Sequence, residues 1–534
     1  MRGTASSRAT ADLVLTGGAV LTQDPACPRA TAVAVSAGRV LAVGDDDAVL
    51  AMAGPRARRI ELAGRTVVPG FNDAHAHLWK MGHLMTGLVD LREVESLPQL
   101  REKLQSFAAG LPGDGWIVGR GYNEAVMAEG RRPLATDLDE AIGHRPCFLT
   151  RTCGHIGVAS SRALTLAGIG ADTPNPPGGE IVRDATGAAT GELHETAMGL
   201  VTRLVPEPTD AELEAMVLAA MRHQLRHGVT SSSEAGLTPG QLAVYRRMDR
   251  ERKLPVRVNA MALRRPIGGT TTFPLPERHE SDFLRIDSIK LLADGGLSGA
   301  TAALSVPYRH CESHGLLRLD EAELVELCRE PHAAGLRIGV HAIGDAAIDA
   351  VLGAFDALGP STAGMRHRIE HFGLPHPGQL ARAARLGVIA VPQTIFLQAL
   401  GVNFRRYLPD SLLGRSYPVR EMLESGLLVA LSSDAPVVQN DAPLMGIEAA
   451  VTRLDSEGVA IAREQAVTLE QALYAYTRGG ALASGDERNR GMLAPGLWAD
   501  LAVLGGDLLA TPAERVGSVG VDMTIVAGRV AHER

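Results

Sequence analysis

Eight apolar, β-branched segments recur between residues 66 and 436, and most are followed by a helix-like stretch. They are TVVPGFNDAHAH (66–77), GVTSSSEAG (228–236), LPVRVNAMAL (254–263), RIDSIKLLADG (285–295), LRIGVHAIGD (336–345), RHRIEHFG (366–373), GVIAVPQTIF (387–396) and GLLVALSSDAP (426–436). Strand and helix in alternation demand parallel pairing, because a crossover helix returns the chain to the same end of the sheet. Eight such units predict an α/β fold, a (β/α)8 TIM barrel over residues 66–485. The gap between the first and second segments is far too long for one helix. Residues of about 85–205, rich in Gly and Pro turns, therefore read as an inserted subdomain. Barrel active sites lie at the C-terminal ends of the strands, so an insert after the first strand is expected to cap the site.

The chain ends have a different pattern. ADLVLTGGAVLT, AVAVSAGRVLAVG and RRIELAGRTVVPG near the start, and GLWADLAVLGG and VDMTIVAGRVAHER near the end, are short strands separated by glycine turns. Residues 1–65 and 486–534 are expected to pair into one small β-sandwich, the alternative being two unrelated hairpins. A net charge of −8 without a basic and aromatic surface motif argues against nucleic-acid binding. No segment is long and apolar enough for a membrane span, and the N-terminal apolar run is too short for a signal peptide. Five cysteines with no CxxC pair suit reduced thiols, so a soluble cytoplasmic protein is the expectation.

Lysine is scarce: of 53 Lys and Arg residues only Lys80, Lys103, Lys253 and Lys290 are lysine. Lys290 sits within a strand that reads as buried, where an ammonium is costly. It is either a side chain snorkelling from a strand end or an amine kept for chemistry that arginine cannot perform. A buried lysine sheds its proton more readily than a solvated one, and the neutral amine can take up carbon dioxide. The carbamate so formed has two oxygens that can bridge two divalent metals.

DAHAH places His75 and His77 on one side of the first strand, where they either grip a metal ion or are ordinary core or surface histidines. The other candidates end different strands: Lys290 the fourth, His341 the fifth, His371 the sixth and Asp434 the eighth. Strand ends of a barrel converge, whereas His223, His227, His332 and His376 fall in helices or loops and read as solvated. Glu370, next to His371, is expected on the opposite strand face as a supporting carboxylate, and Asp345 in the loop that supports His341. In the insert, His155 is read either as a group that polarises a substrate carbonyl or as a structural histidine. Tyr122, Asn123 and Glu124 either line the entrance or form a plain turn.

The set resembles the amidohydrolase superfamily, and most closely its family 3 branch, which includes N-substituted formamide deformylases. VVPGFNDAHAHL, IKLLADGGLSGATAAL, VHAIGDAAIDAVL, RIEHFGLPHPGQL, LSSDAPV and GMLAPGLWADLAVL carry the resemblance over essentially the whole chain. It implies that His75, His77, carboxylated Lys290 and Asp434 hold one metal, and that His341, His371 and the same carbamate hold a second. Two Zn2+ per chain suit these donors, with manganese and iron as alternatives. It further implies a metal-bound hydroxide as nucleophile, Asp434 as its proton acceptor, and a homodimer as the assembly. The expected reaction is hydrolysis of an amide-like C–N bond in a small molecule: an N-formyl, N-acyl or carbamoyl compound. A mononuclear-metal deaminase is a second reading, against which HAIGD lacks the glutamate of the His-Ala-x-Gly-Glu pattern. A non-catalytic scaffold of the same fold is a third.

Overall fold

The computed structural model describes residues 10–111, 113–124, 127–151, 156–176, 179–266, 271–309 and 312–534. They form two compact units, one made of the chain up to Leu78 with Ala220–Arg534 and the other of Trp79–Ala219.

The first unit is built on eight parallel strands: β1 (Phe71–Ala76), β2 (Val229–Leu237), β3 (Arg257–Leu263), β4 (Leu284–Leu292), β5 (Arg337–Ala342), β6 (Arg368–His371), β7 (Ile389–Val391) and β8 (Leu428–Val429). They pair in chain order from β1 to β8. The sheet closes where the chain beyond β8 meets β1: the Asp434 amide donates to the His75 carbonyl at 2.8 Å, and the His77 amide to the Ala435 carbonyl at 2.9 Å. Strands of such a barrel are covered on both faces, and every residue of β1, β6 and β7 is buried.

Crossover helices start where their sequences dictate. Thr238 and Gln241 form a capping box ahead of Pro239–Arg250, as do Asp320 and Glu323 ahead of Glu321–Ala333. Between β3 and β4 there is no helix among the described residues. Instead His279–Glu280 runs antiparallel to β4. The connection contains Pro266, Pro274 and Pro276, which oppose a helix.

The first of the eight sequence segments divides at Gly70. Thr66–Pro69 pairs with Ala19–Leu21 and Leu501–Leu504, and only Phe71–Ala76 enters the barrel. A Cβ at Gly70 would lie 2.2 Å from Thr230 Oγ1, so the chain changes sheets where only glycine fits. Both chain ends contribute to the outer sheets. The four-stranded one holds Arg39–Gly44, Ala32–Ser36, Ala11–Thr16 and Ala53–Glu61; the six-stranded one includes Leu501–Leu504, Val521–Val526 and Arg529–Glu533. Leu13, Leu15 and Val33 from the first sheet share one core with Val67, Val503 and Ile525 from the second, which makes the pair a sandwich.

Trp79–Ala219 carries its own six-stranded sheet, with helices Leu97–Gly110, Ala135–Ile142 and Ser161–Leu166. It has its own apolar cores, one of them around Leu100, Ile117, Tyr122 and Leu149. Among the described residues no helix is long and apolar enough to cross a membrane.

Candidate metal centre

His75 and His77 leave β1 and the turn after it toward Asp434. Asp434 Oδ1 is 3.5 Å from His75 Nε2 and 3.3 Å from His77 Nε2. One ligating atom from each of the three residues lies within 4.8 Å of the others. The backbone bonds that close the barrel also bring these side chains together. Asp434 has φ 54° and His371 has φ 72°, a left-handed conformation rare for such residues and often retained at functional sites.

Two further histidines continue the cluster. The His371 ring centroid is 5.0 Å from that of His75 and 4.3 Å from that of His341. Lys290 is 2% exposed on β4, and its charge depresses the proton affinity of His75 and His371. The six strand-end residues singled out in the sequence thus lie in one region of the first unit.

The ring nitrogens are oriented from behind. Glu370 Oε2 is 2.5 Å from His75 Nδ1, which turns His75 Nε2 toward Asp434. Arg368 donates to both Glu370 oxygens, through Nε at 2.7 Å and Nη2 at 2.9 Å. Gln393 Oε1 is 2.6 Å from His371 Nδ1, and Gln393 donates to Ser432 Oγ at 2.8 Å and to the Val391 carbonyl. His341 Nε2 lies 3.0 Å from the Gly295 carbonyl and 3.3 Å from Asp294 Oδ1, leaving Nδ1 as its second ring donor. Asp294 also accepts from the amides of Ile343, Gly344 and Ala303, locking the loops after β4 and β5.

Glu370 corrects the expectation of an outward-facing side chain. It points into the barrel, as Arg368 does two residues earlier, and His371 also reaches the cluster. The left-handed turn at His371 ends strand alternation, so neighbours 370 and 371 both serve the same centre. Asp345 accepts from the amide and hydroxyl of Ser305 instead of supporting His341, a task that falls to Asp294 and Gly295. Asp73 receives the Ser433 amide at 3.0 Å and hydroxyl at 2.5 Å, joining the same two chain segments from below. Burial pushes its carboxyl up to about 7 even against these bonds.

The electrostatics suit metal ligation. Burial, with the neighbouring Lys290 charge, lowers His75; burial and His341 hold His371 well below its ordinary value. Both rings are therefore neutral near pH 7, the form that binds metals. Burial raises the Asp434 carboxyl, but the His77 hydrogen bond, with the surrounding histidines, outweighs it and keeps Asp434 ionised. Two imidazoles and a carboxylate whose atoms converge within 4.8 Å fit a divalent cation.

Tyr417 was not legible as a site residue. It has φ 49°, is fully buried, and packs against Phe396 and Phe404. Its hydroxyl has no hydrogen-bond partner among the described residues, and burial together with the charges of Asp434 and Asp294 keeps it protonated. In the second unit, Tyr122 is fully buried, which makes its ring part of that unit's core. Glu124 is 2.8 Å from Arg151 Nε and 3.3 Å from Arg132 Nε. His155 lies outside the described residues.

A parallel barrel with a His and Asp cluster at the C-terminal strand ends is the architecture of a metal-dependent hydrolase. Residues 58–532 match the amidohydrolase family, and the chain belongs to that family. It is 31% identical to the N-substituted formamide deformylase of Arthrobacter pascens, over 98% of each chain. An uncharacterized metal-dependent hydrolase from Pyrococcus horikoshii OT3 superposes with TM-score 0.77 at 25% identity, over 97% of this chain and 100% of that one. A second, from Pyrococcus furiosus, does so with TM-score 0.75 at 28% identity, over 91% and 97%.

Proposed function

We propose that the protein hydrolyses an amide-like C–N bond in a small N-formyl, N-acyl or carbamoyl compound. The observation that carries this reading is the convergence of His75, His77 and Asp434 within 4.8 Å, with Lys290, His341 and His371 alongside. The name of the Arthrobacter relative, a formamide deformylase, supports the N-formyl member of that class.

His75, His77, Asp434 and carboxylated Lys290 would hold one zinc, and His341, His371 and the same carbamate a second. Divalent ions in that set supply a Lewis acid for the scissile carbonyl and acidify water for attack near neutral pH. Asp434, held ionised, accepts the proton lost by the attacking water and returns it to the leaving nitrogen. Glu370 and Gln393 fix the tautomers of His75 and His371 by occupying their Nδ1 atoms. The protonated Tyr417 hydroxyl, buried without a partner among the described residues, is a donor available to the carbonyl oxygen as negative charge develops.

The test is a hydrolysis screen of N-formyl, N-acetyl and N-carbamoyl amines with zinc and bicarbonate supplied. Release of free amine from one of these series is the expected result. Turnover confined to ring deamination, or none in any series with the metals loaded, would overturn the reading.

A further inference from the structure

Helix α1 (Asp210–Arg226) carries His223, and His227 follows in the turn at its end. Four residues are just over one helical turn, so the two rings leave the same side. Their centroids are 4.6 Å apart. Asp441, in the segment after β8, meets them: its Oδ1 is 2.8 Å from His223 Nε2. One ligating atom from each of the three residues lies within 4.8 Å of the others. All three are half-buried, so the solvated-helix reading of His223 and His227 does not hold.

We propose that His223, His227 and Asp441 form a further divalent-cation site with a preference for zinc-like ions, separate from the six strand-end residues. Two imidazoles and one carboxylate are a three-ligand set that leaves the fourth tetrahedral position to water. Burial, with the nearby His223, lowers His227, so its lone pair is available at neutral pH. Two donors each about 2.0 Å from a tetrahedral ion stand about 3.3 Å apart. The His223 to Asp441 separation of 2.8 Å is that of a shared proton, and a few tenths of an ångström of side-chain movement admits the cation in its place.

The site has a structural consequence. The segment from Asp434 to Asp441 begins at a proposed catalytic carboxylate and ends at this one. Its start is turned by the Val437 amide donating to the Asp434 carbonyl. A cation at the far end fastens the segment to the residues that lead into β2.

The experiment counts zinc in the intact protein, stripped with a chelator and reloaded with free zinc buffered below micromolar. Wild type is expected to hold one equivalent per chain more than the double variant His223→Gln, His227→Gln. A His75→Ala, His77→Ala variant is expected to keep that equivalent, which separates this site from the strand-end centre. Equal zinc in wild type and the His223, His227 variant overturns the proposal. Anomalous difference density in zinc-loaded wild-type crystals guards against a variant that misfolds. A peak bounded by His223, His227 and Asp441 supports the site, and its absence beside peaks at the strand-end centre overturns it while leaving the proposed reaction intact.

Discussion

Glu370 Oε2 lies 2.5 Å from His75 Nδ1, with both side chains sealed inside the barrel. Burial raises the Glu370 carboxyl, but the charge of Arg368 and the His75 contact together bring it well below the ordinary carboxylate range. A permanently ionised Glu370 thus holds the proton of His75 on Nδ1 and leaves Nε2 for a metal. Glu370→Gln keeps the shape and removes the charge. We expect zinc affinity to fall about 10- to 100-fold with the fold retained. Competition with a zinc chelator, monitored alongside circular dichroism, measures it, and unchanged affinity would reduce Glu370 to a packing role.

Lys290 is the residue at which a conservative change should be among the most damaging. Lys290→Arg places a permanent cation where the carbamate is proposed, and arginine cannot be carboxylated. Loss of both the second metal and turnover is expected. Lys290→Ala instead leaves room for acetate or formate, and those carboxylates should restore part of the activity in a concentration-dependent way. A metallated, active Lys290→Arg enzyme returns Lys290 to the role of an ordinary strand-end lysine.

Asp434→Asn removes the proton acceptor and preserves one ligating oxygen. Its kcat should fall by about 10² or more, with at least one metal still bound. Steady-state kinetics paired with metal analysis separates the two effects, since loss of all metal would mean that ligation alone explains the defect.

Tyr417→Phe deletes one hydroxyl from a buried position where it meets no protein partner among the described residues. Stability should therefore change little, while kcat falls by about 10² if the hydroxyl stabilises developing charge on the substrate oxygen. An unaltered kcat would assign Tyr417 to the packing of Phe396 and Phe404.

His367 predicts a pH dependence apart from the metal centre. Burial, followed by the nearby His332 and Arg337, pushes it down to about 3, and the Ile338 amide donates to its Nδ1 at 3.1 Å. The unfolded chain protonates this ring near pH 6.5 and the folded chain does not. Its contribution is therefore complete above about pH 6.5 and is lost as pH falls toward 3, by at most about 1.4 kcal/mol per pH unit. His367→Phe cannot titrate and pays a constant cost for the unaccepted Ile338 amide. The stability gap between wild type and variant should narrow from pH 6.5 to 4 in denaturant titrations, and a constant gap would contradict the assignment.

The positions of His75, Lys290, His341, His371 and Asp434 were legible because barrel strands repeat a simple local pattern, apolar residues ending in a polar group. The sandwich was legible for a similar reason, since turn-punctuated strands at both chain ends have no helix to cover them. Gly70 shows the limit: Thr66–Pro69 and Phe71–Ala76 read as one strand, and only the closeness of Thr230 explains why the chain changes sheets between them.

What the sequence by itself determined was the order of strands and the types of side chain at their ends, both set by local periodicity. Partnership across the chain was decided by tertiary structure alone. Glu370 meets His75 across 295 residues because β6 and β1 face the same barrel interior, and the left-handed turn at His371 cancels the alternation that local reading assumes. Asp441 meets His223 across 218 residues because barrel closure returns the chain after β8 to the neighbourhood of β1. Side-chain periodicity is a property of one segment, whereas a hydrogen bond or a metal site depends on where several segments meet in space.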